Sequence, residues 1–263
     1  MPSAFPKMTE PDFAGRTVVV TGAGGGLGSD IARGFGEAGA FVVVAEIAAA
    51  AGRAVADQLR GDGIEAVYRP LDVRDPASSA GLVEAVTGER GGVDVWVNNA
   101  GVAHKGPAET LPQEQWRESI DVMLSGAFYC SQAAARPMLE QGRGVIVNVA
   151  SIIGCFPIEQ RVAYGTAKAG LIALTEALGI EWANRGVRVV GVAPAVVMTE
   201  MVRKGLAEGT ATVDAYERRT PMRRLGTKRE VSDAVLYLAS DEASFITAET
   251  LKIDGGWGAY SFF

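Results

Sequence analysis

Cysteine and histidine are nearly missing from this chain of 263 residues, which has two of the first and one of the second. Cys130 and Cys155 make no disulfide framework, and two thiols with the lone His104 cannot build a common zinc set, so no metal site is expected. No run approaches the 18 or more apolar residues of a membrane span. The opening stretch has no apolar core of the kind a signal peptide needs. A basic block is also lacking: Lys plus Arg number 25 against 31 Asp plus Glu, a net charge of −6. Such a balance disfavours nucleic acid and anionic membrane surfaces. These absences lead us to expect a reduced, cytoplasmic protein with neither nucleic-acid nor membrane partners.

What is present is an ordinary globular composition, 48% hydrophobic and rich in glycine at 33 residues. After a tail over 1–13, residues 14–263 read as one domain without linker or repeat. Short β-branched runs at 17–21, 41–45, 66–68, 93–97, 145–149, 187–192 and 250–253 alternate with alanine-rich helical patterns near 27–38, 48–60, 76–89, 113–140, 162–184 and 228–239. Continuous apolar strands alternating with helices predict an α/β fold: a Rossmann-type, doubly wound, seven-stranded parallel sheet with helices on both faces. Ligands are then expected at the carboxyl ends of the strands. The stretch 200–227 interrupts the alternation after a strand end and reads as a lid over the substrate.

The first run leads directly into Thr21-Gly-Ala-Gly-Gly-Gly-Leu-Gly28 and a helix. Glycines there allow a tight turn and close backbone approach, and a helix N-terminus offers N–H groups to a pyrophosphate. The fit is Gly22, Gly26 and Gly28, a Gly-x-x-x-Gly-x-Gly spacing, and no Gly-Lys-Ser/Thr follows to make a P-loop. Glu46 stands just past the second run, where a carboxylate accepts from ribose hydroxyls and repels a 2′-phosphate; no Lys or Arg occurs between Arg33 and Arg53. This favours NAD over NADP. Asp72, in Leu-Asp-Val, either flanks the adenine or simply caps the next helix. Tyr164 and Lys168, one helical turn apart, share a face, and Ser151 stands thirteen residues before the tyrosine. A phenol, a cation and a hydroxyl so placed are equipment for moving a proton on or off an alcohol.

With Thr21–Gly28, Asn98-Asn-Ala-Gly101, Ser151 and Tyr164-x-x-x-Lys168 in this order, the chain resembles the short-chain dehydrogenase/reductase family over about residues 14–258. Further similar stretches are Pro221-Met-Arg-Arg-Leu-Gly226 and Ile253-Asp-Gly-Gly256. The resemblance implies that Gly22, Gly26, Leu27 and Gly28 form the phosphate turn, with Glu46 on the ribose and Asp72 and Val73 beside adenine. It implies that Asn99, Ala100 and Gly101 close the cofactor cleft, and that Val197 and Thr199 contact the carboxamide. Tyr164 is then the general acid/base. Lys168 bonds the nicotinamide ribose and lowers the tyrosine pKa, and Ser151 holds the substrate oxygen. A homo-oligomer, commonly a tetramer built through the helices near 113–140 and 162–184, is the implied assembly.

Two positions depart from that pattern. Met123 stands where a catalytic asparagine is usual, so a backbone carbonyl or Ser125 must hold the water it would bind, or turnover suffers. Pro194-Ala195 replaces Pro-Gly, and an alanine forced to positive φ would cost about 1 kcal/mol. At the substrate end, His104, Glu159 and Gln160 would suit a polyhydroxylated molecule, whereas Ile153 and Phe156 would suit an apolar one. His104 serves equally well as a structural loop residue, and Cys155 reads as a packing residue. The aromatic tail 257–263 is expected to dock on its own subunit or a neighbour. The leading expectation is an NAD-dependent enzyme interconverting a secondary alcohol (a sugar, polyol or small hydroxy compound) and its ketone. The rivals are a 3-oxoacyl-type reductase, which Glu46 opposes, and a non-catalytic NAD-binding scaffold.

Overall fold

The computed structural model describes residues 12–199, 202–203 and 212–261. Seven strands, β1 (Thr17–Thr21), β2 (Phe41–Glu46), β3 (Ala66–Pro70), β4 (Val95–Asn98), β5 (Gly144–Val149), β6 (Val187–Pro194) and β7 (Thr250–Ile253), form one sheet in the order β3-β2-β1-β4-β5-β6-β7. All neighbours pair in parallel, with Val18 opposite Val42 and Val95. The doubly wound sheet expected from the alternation is therefore present. Its order reverses between β1 and β4, which opens a crevice at their carboxyl ends.

Strand side chains alternate between faces, so each run of valines feeds two cores. Val18, Val20, Val42 and Val44 pack with Ile31 and Phe35 of α1 (Gly26–Glu37), Leu59 of α2 (Ala49–Gly61) and Val235 of α9 (Lys228–Ala239). Val19, Val43, Trp96 and Ile146 face the other way. They meet Leu82 and Val86 of α3 (Pro76–Arg90), Met138 of α5 (Gly126–Gln141) and Leu178 of α7 (Val162–Trp182). Burial on both faces is why these strands read as unbroken apolar runs.

Local signals fix the helix starts. Asp75 accepts a hydrogen bond from Ala77 N–H with Pro76 at the first helical position, and Thr227 and Glu230 cap α9 reciprocally. Phe13, the last residue of the stretch read as a tail, is fully buried edge-on to Phe35 at 4.8 Å between centroids. The fourth strand begins at Val95, two residues later than the apolar run, because the Asp94 carboxylate accepts Thr17 N–H at 2.8 Å there.

The span 113–140, read as one helix, is three pieces: α4 (Gln113–Ile120), a π-helical turn (Asp121–Ser125) and α5. The wide turn leaves no room for a side chain where it leads into α5. A Cβ on Gly126 would lie 2.9 Å from both the Asp121 carbonyl oxygen and Val73 Cγ2. A short helix α6 (Ile152–Cys155) follows β5, and α8 (Val213–Arg219) precedes the stretch leading to α9. Of the expected lid, residues 200–201 and 204–211 lie outside the described residues, as do 262–263 of the tail. Among the described residues no helix is long and apolar enough to cross a membrane, and no cluster of His, Cys, Asp or Glu could hold a metal.

Candidate active site

Thr21 ends β1 and the chain turns immediately at Gly22, whose φ of 63° is a left-handed value that favours glycine. A Cβ there would lie 2.7 Å from the Cα of Ala100, so the turn also needs glycine to touch the end of β4. Asn99 secures that contact, donating from Nδ2 to the carbonyls of Thr21 and Gly22 at 2.9 and 3.1 Å. Gly28 is a packing glycine: a Cβ on it would meet Asn99 Nδ2 at 2.4 Å. Beside the turn, Glu46 accepts from Gly24 N–H (3.1 Å) and Ala48 N–H (2.9 Å), which holds its carboxylate at the glycine-rich loop.

A cleft of about 790 Å³ runs from this loop across the strand ends. Gly22, Gly26, Leu27, Glu46, Asp72, Val73, Asn99, Ala100 and Gly101 line one end, and Ser151, Ile153, Tyr164, Lys168, Val197 and Thr199 line the other. Asp72 does not cap α3, a role Asp75 fills; it grips Arg74 instead, accepting from Nε at 2.9 Å and Nη2 at 2.7 Å. That hydrogen-bonded guanidinium holds the Asp72 carboxyl below its ordinary value.

Ser151 follows β5 and caps α6, its Oγ accepting Ile153 N–H at 3.2 Å. Tyr164 and Lys168 lie one turn apart on α7, with Lys168 Nζ 5.9 Å from the phenol ring centroid. Lys168 is buried, and among the described residues the Val149 carbonyl, at 2.6 Å, is its one hydrogen-bond acceptor. An ammonium has three donors, so two remain for a ligand in the cleft. Burial pulls its pKa down to about 8. Burial likewise pushes the Tyr164 phenol above its ordinary 10.0, opposed by a hydrogen bond with Ser151 and by the charge of Arg161. In the protein alone desolvation thus outweighs the Ser151 hydrogen bond and the Arg161 charge, so the phenol lies above its ordinary value where a lowered one was expected.

The two departures resolve differently. Met123 is buried in the π turn beneath Gly101, and with Thr21, Asn98 and Ala100 it lines a separate void of about 10 Å³, the size of one water. Ser125 lines neither the void nor the cleft. Ala195 is not among the residues at positive φ, so its methyl carries no left-handed strain, and its N–H donates to Ile253 O at 3.0 Å.

The substrate end differs from the expectation at three residues. His104 Nε2 pairs with Glu118 Oε2 at 2.7 Å and does not line the cleft. Glu159 and Gln160 are exposed and outside it, the chain turning away through a φ of 61° at Gln160. Ile153 alone of the four candidates lines the wall, with Ile158, Arg161, Tyr216, Arg219 and Trp257. Arg161, the N-cap residue of α7 three positions before Tyr164, is a wall residue that no motif in the sequence marks. The tail docks on its own chain: Arg219 lies 4.2 Å over the Trp257 ring and donates to the carbonyls of Trp257 and Tyr260. Cys155 is half-buried, with burial pushing its thiol up, and it is absent from the cleft wall.

Comparison with known proteins gives a consistent picture. A family model described as enoyl-(acyl carrier protein) reductase matches residues 22–258. The chain is 38% identical to the D-threitol dehydrogenase of Mycolicibacterium smegmatis over 92% of its length and 93% of that protein's. It is 40% identical to the cis-4-hydroxycyclohexanecarboxylate dehydrogenase of Sinomonas cyclohexanicum, over 94% of this chain and 98% of the relative. Its fold is similar to that of a gluconate 5-dehydrogenase from Burkholderia cenocepacia in complex with NADP and tartrate: TM-score 0.90, 31% identity, covering 95% of this chain and 97% of that one.

Proposed function

The chain belongs to the short-chain dehydrogenase/reductase family, and on that basis we propose that it interconverts a secondary alcohol and its ketone with NAD, using Tyr164 as general acid and base. As a member it is an oxidoreductase acting on CH–OH groups. The observation that carries the finer reading is the convergence of Ser151, Tyr164 and Lys168 on one cleft whose far end is the Gly22–Leu27 turn and the Glu46 carboxylate.

NAD supplies the hydride acceptor when bound and, oxidised, brings a positive charge. The residues fit it: the glycine turn admits a pyrophosphate close to backbone N–H groups, and the two unfilled donors of Lys168 suit ribose hydroxyls. Ser151 hydrogen-bonds the substrate oxygen and holds it at the phenol. Tyr164 then takes the hydroxyl proton in oxidation or returns one in ketone reduction. Burial raises the phenol pKa in the protein alone and the charge of Arg161 opposes it; the charges of Lys168 and of the oxidised cofactor would favour ionisation when the site is filled.

Glu46 supports NAD over NADP, since its carboxylate sits at the loop that receives the adenosine ribose and would repel a 2′-phosphate. The solved relative holds NADP, so cofactor preference rests on this residue. The substrate in this reading is a sugar, polyol or small hydroxy compound. A homotetramer paired through α5 and α7 belongs to the same proposal, supported by the exposed Phe128, Val162 and Ile180 on those helices.

The test is a spectrophotometric assay with NAD⁺ or NADP⁺ and a panel of sugars, polyols and hydroxy compounds. Turnover with NAD⁺, at least tenfold better than with NADP⁺, is expected, and Glu46→Ala should erode that preference. No turnover on any member, with NAD still bound tightly, would favour the scaffold.

A further inference from the structure

The charged groups at the substrate end are not symmetrical. Glu118 is spent on His104, Glu159 is exposed and absent from the cleft wall, and Arg219 is committed to the carbonyls of Trp257 and Tyr260 while lying over the indole. Arg161 is different. It lines the cleft with Ser151 and Tyr164, yet among the described residues the one hydrogen-bond partner of its guanidinium is the His104 carbonyl, at a long 3.4 Å. No carboxylate lies within ion-pair distance of it among the described residues. By contrast Arg16, Arg33, Arg69, Arg74 and Arg224 each hold one, and Arg229 holds two.

The cleft wall that holds Arg161 is largely apolar, with Val102, Ala103, Ile153, Ile158 and Trp257, and of its other charged groups Glu118 and Arg219 already have partners. A guanidinium in an apolar wall matches a carboxylate, which it can bind through two parallel hydrogen bonds. Its backbone is anchored, since Arg161 O accepts from Gly165 N–H at 2.7 Å at the start of α7, which fixes its main chain three residues before Tyr164.

We propose that Arg161 is the anchor for a substrate carboxylate, making the preferred alcohols hydroxy acids with an apolar body in place of neutral polyols. This rests on the secondary-alcohol reading above and narrows it. The charge of Arg161 also favours ionisation of Tyr164, so a test by overall rate alone would confuse the two effects. Loss of that electrostatic help slows every substrate equally, whereas loss of an anchor slows only those that carry the carboxylate.

The experiment compares hydroxy acids of four to six carbons, 3-hydroxybutyrate among them, with their primary amides. Affinities are measured by titration calorimetry on the Tyr164→Phe protein at saturating NAD⁺, and kcat and KM on the unaltered enzyme. Acids should bind roughly ten- to a hundredfold tighter than amides, the range of a charge-assisted pair. Arg161→Gln should abolish that preference through KM while leaving amide affinity unchanged, and Arg161→Lys should keep part of it. Equal affinity for acid and amide, or a preference that survives Arg161→Gln, would overturn the anchor. Turnover of neutral alcohols without an acid preference would sink the anchor and spare the dehydrogenase. An Arg161-dependent acid preference without turnover of any alcohol would do the reverse.

Discussion

The two ends of the cleft are built by different means. The cofactor end is made of backbone: Gly22 at positive φ against Ala100, Asn99 tying two strand exits together, and Glu46 holding the loop through N–H groups. The substrate end is made of side chains from segments far apart in the chain, Ile153 and Arg161, then Tyr216 and Arg219, then Trp257. A backbone-built site is read from residue types that only one conformation tolerates. A side-chain-built site depends on which loops meet, and that is set by the whole fold.

The largest expected effect lies where the two ends join. Tyr164→Phe should lower kcat by roughly 10²- to 10⁴-fold, the span of general acid–base catalysis, while NAD affinity stays within about twofold. Near-normal turnover would break the assignment. Gly22→Ala probes the backbone-built end. Left-handed strain plus the overlap with Ala100 should cost about 2 to 4 kcal/mol in denaturant unfolding and weaken NAD binding. An unchanged unfolding midpoint would show that this end tolerates side chains after all.

Lys168 gives a signature in pH. Its folded pKa of about 8 lies below the ordinary 10.5, so the cost of burying the charge is constant and full below pH 8. Between those values the folded state releases the proton while the unfolded state keeps it, and stability should rise with pH by about 3 kcal/mol in all. Tyr164, raised above 10.0, and Cys130, pushed from 9.0 to about 12, work in the opposite direction above their ordinary values. The stability difference between the protein and Lys168→Met, followed by denaturant unfolding between pH 8 and 10, should therefore shift with pH in favour of the lysine. Parallel curves would contradict its burial as a cation. The smallest effect is Ala195→Gly. Because Ala195 is not at positive φ, glycine should relieve nothing and destabilise by about 0.5 to 1 kcal/mol.

The same contrast explains what the amino-acid sequence disclosed. The parallel sheet was legible because strands buried on both faces must be apolar throughout. Gly22, Leu27, Glu46, Asn99, Ser151, Tyr164 and Lys168 stood in contiguous motifs whose spacing carries the geometry, and all of them line the cleft. The π turn at 121–125 was hidden, since one extra residue in a turn scarcely alters the helical pattern over 113–140. His104, Glu159 and Gln160 are near the motif residues in sequence but not in the cleft wall. The first hydrogen-bonds Glu118, and the other two are exposed outside the cleft. Arg219 and Trp257 meet only in the folded chain, so no local pattern announced them.

The central claim is that both ends belong to one site. A crystal structure of the protein with NAD⁺ tests it most directly. The account predicts Glu46 on the adenosine ribose, Lys168 Nζ on the nicotinamide ribose, and the nicotinamide facing Tyr164 within the cleft. NAD⁺ bound away from Glu46, or with its nicotinamide turned from Tyr164 and Lys168, would contradict it.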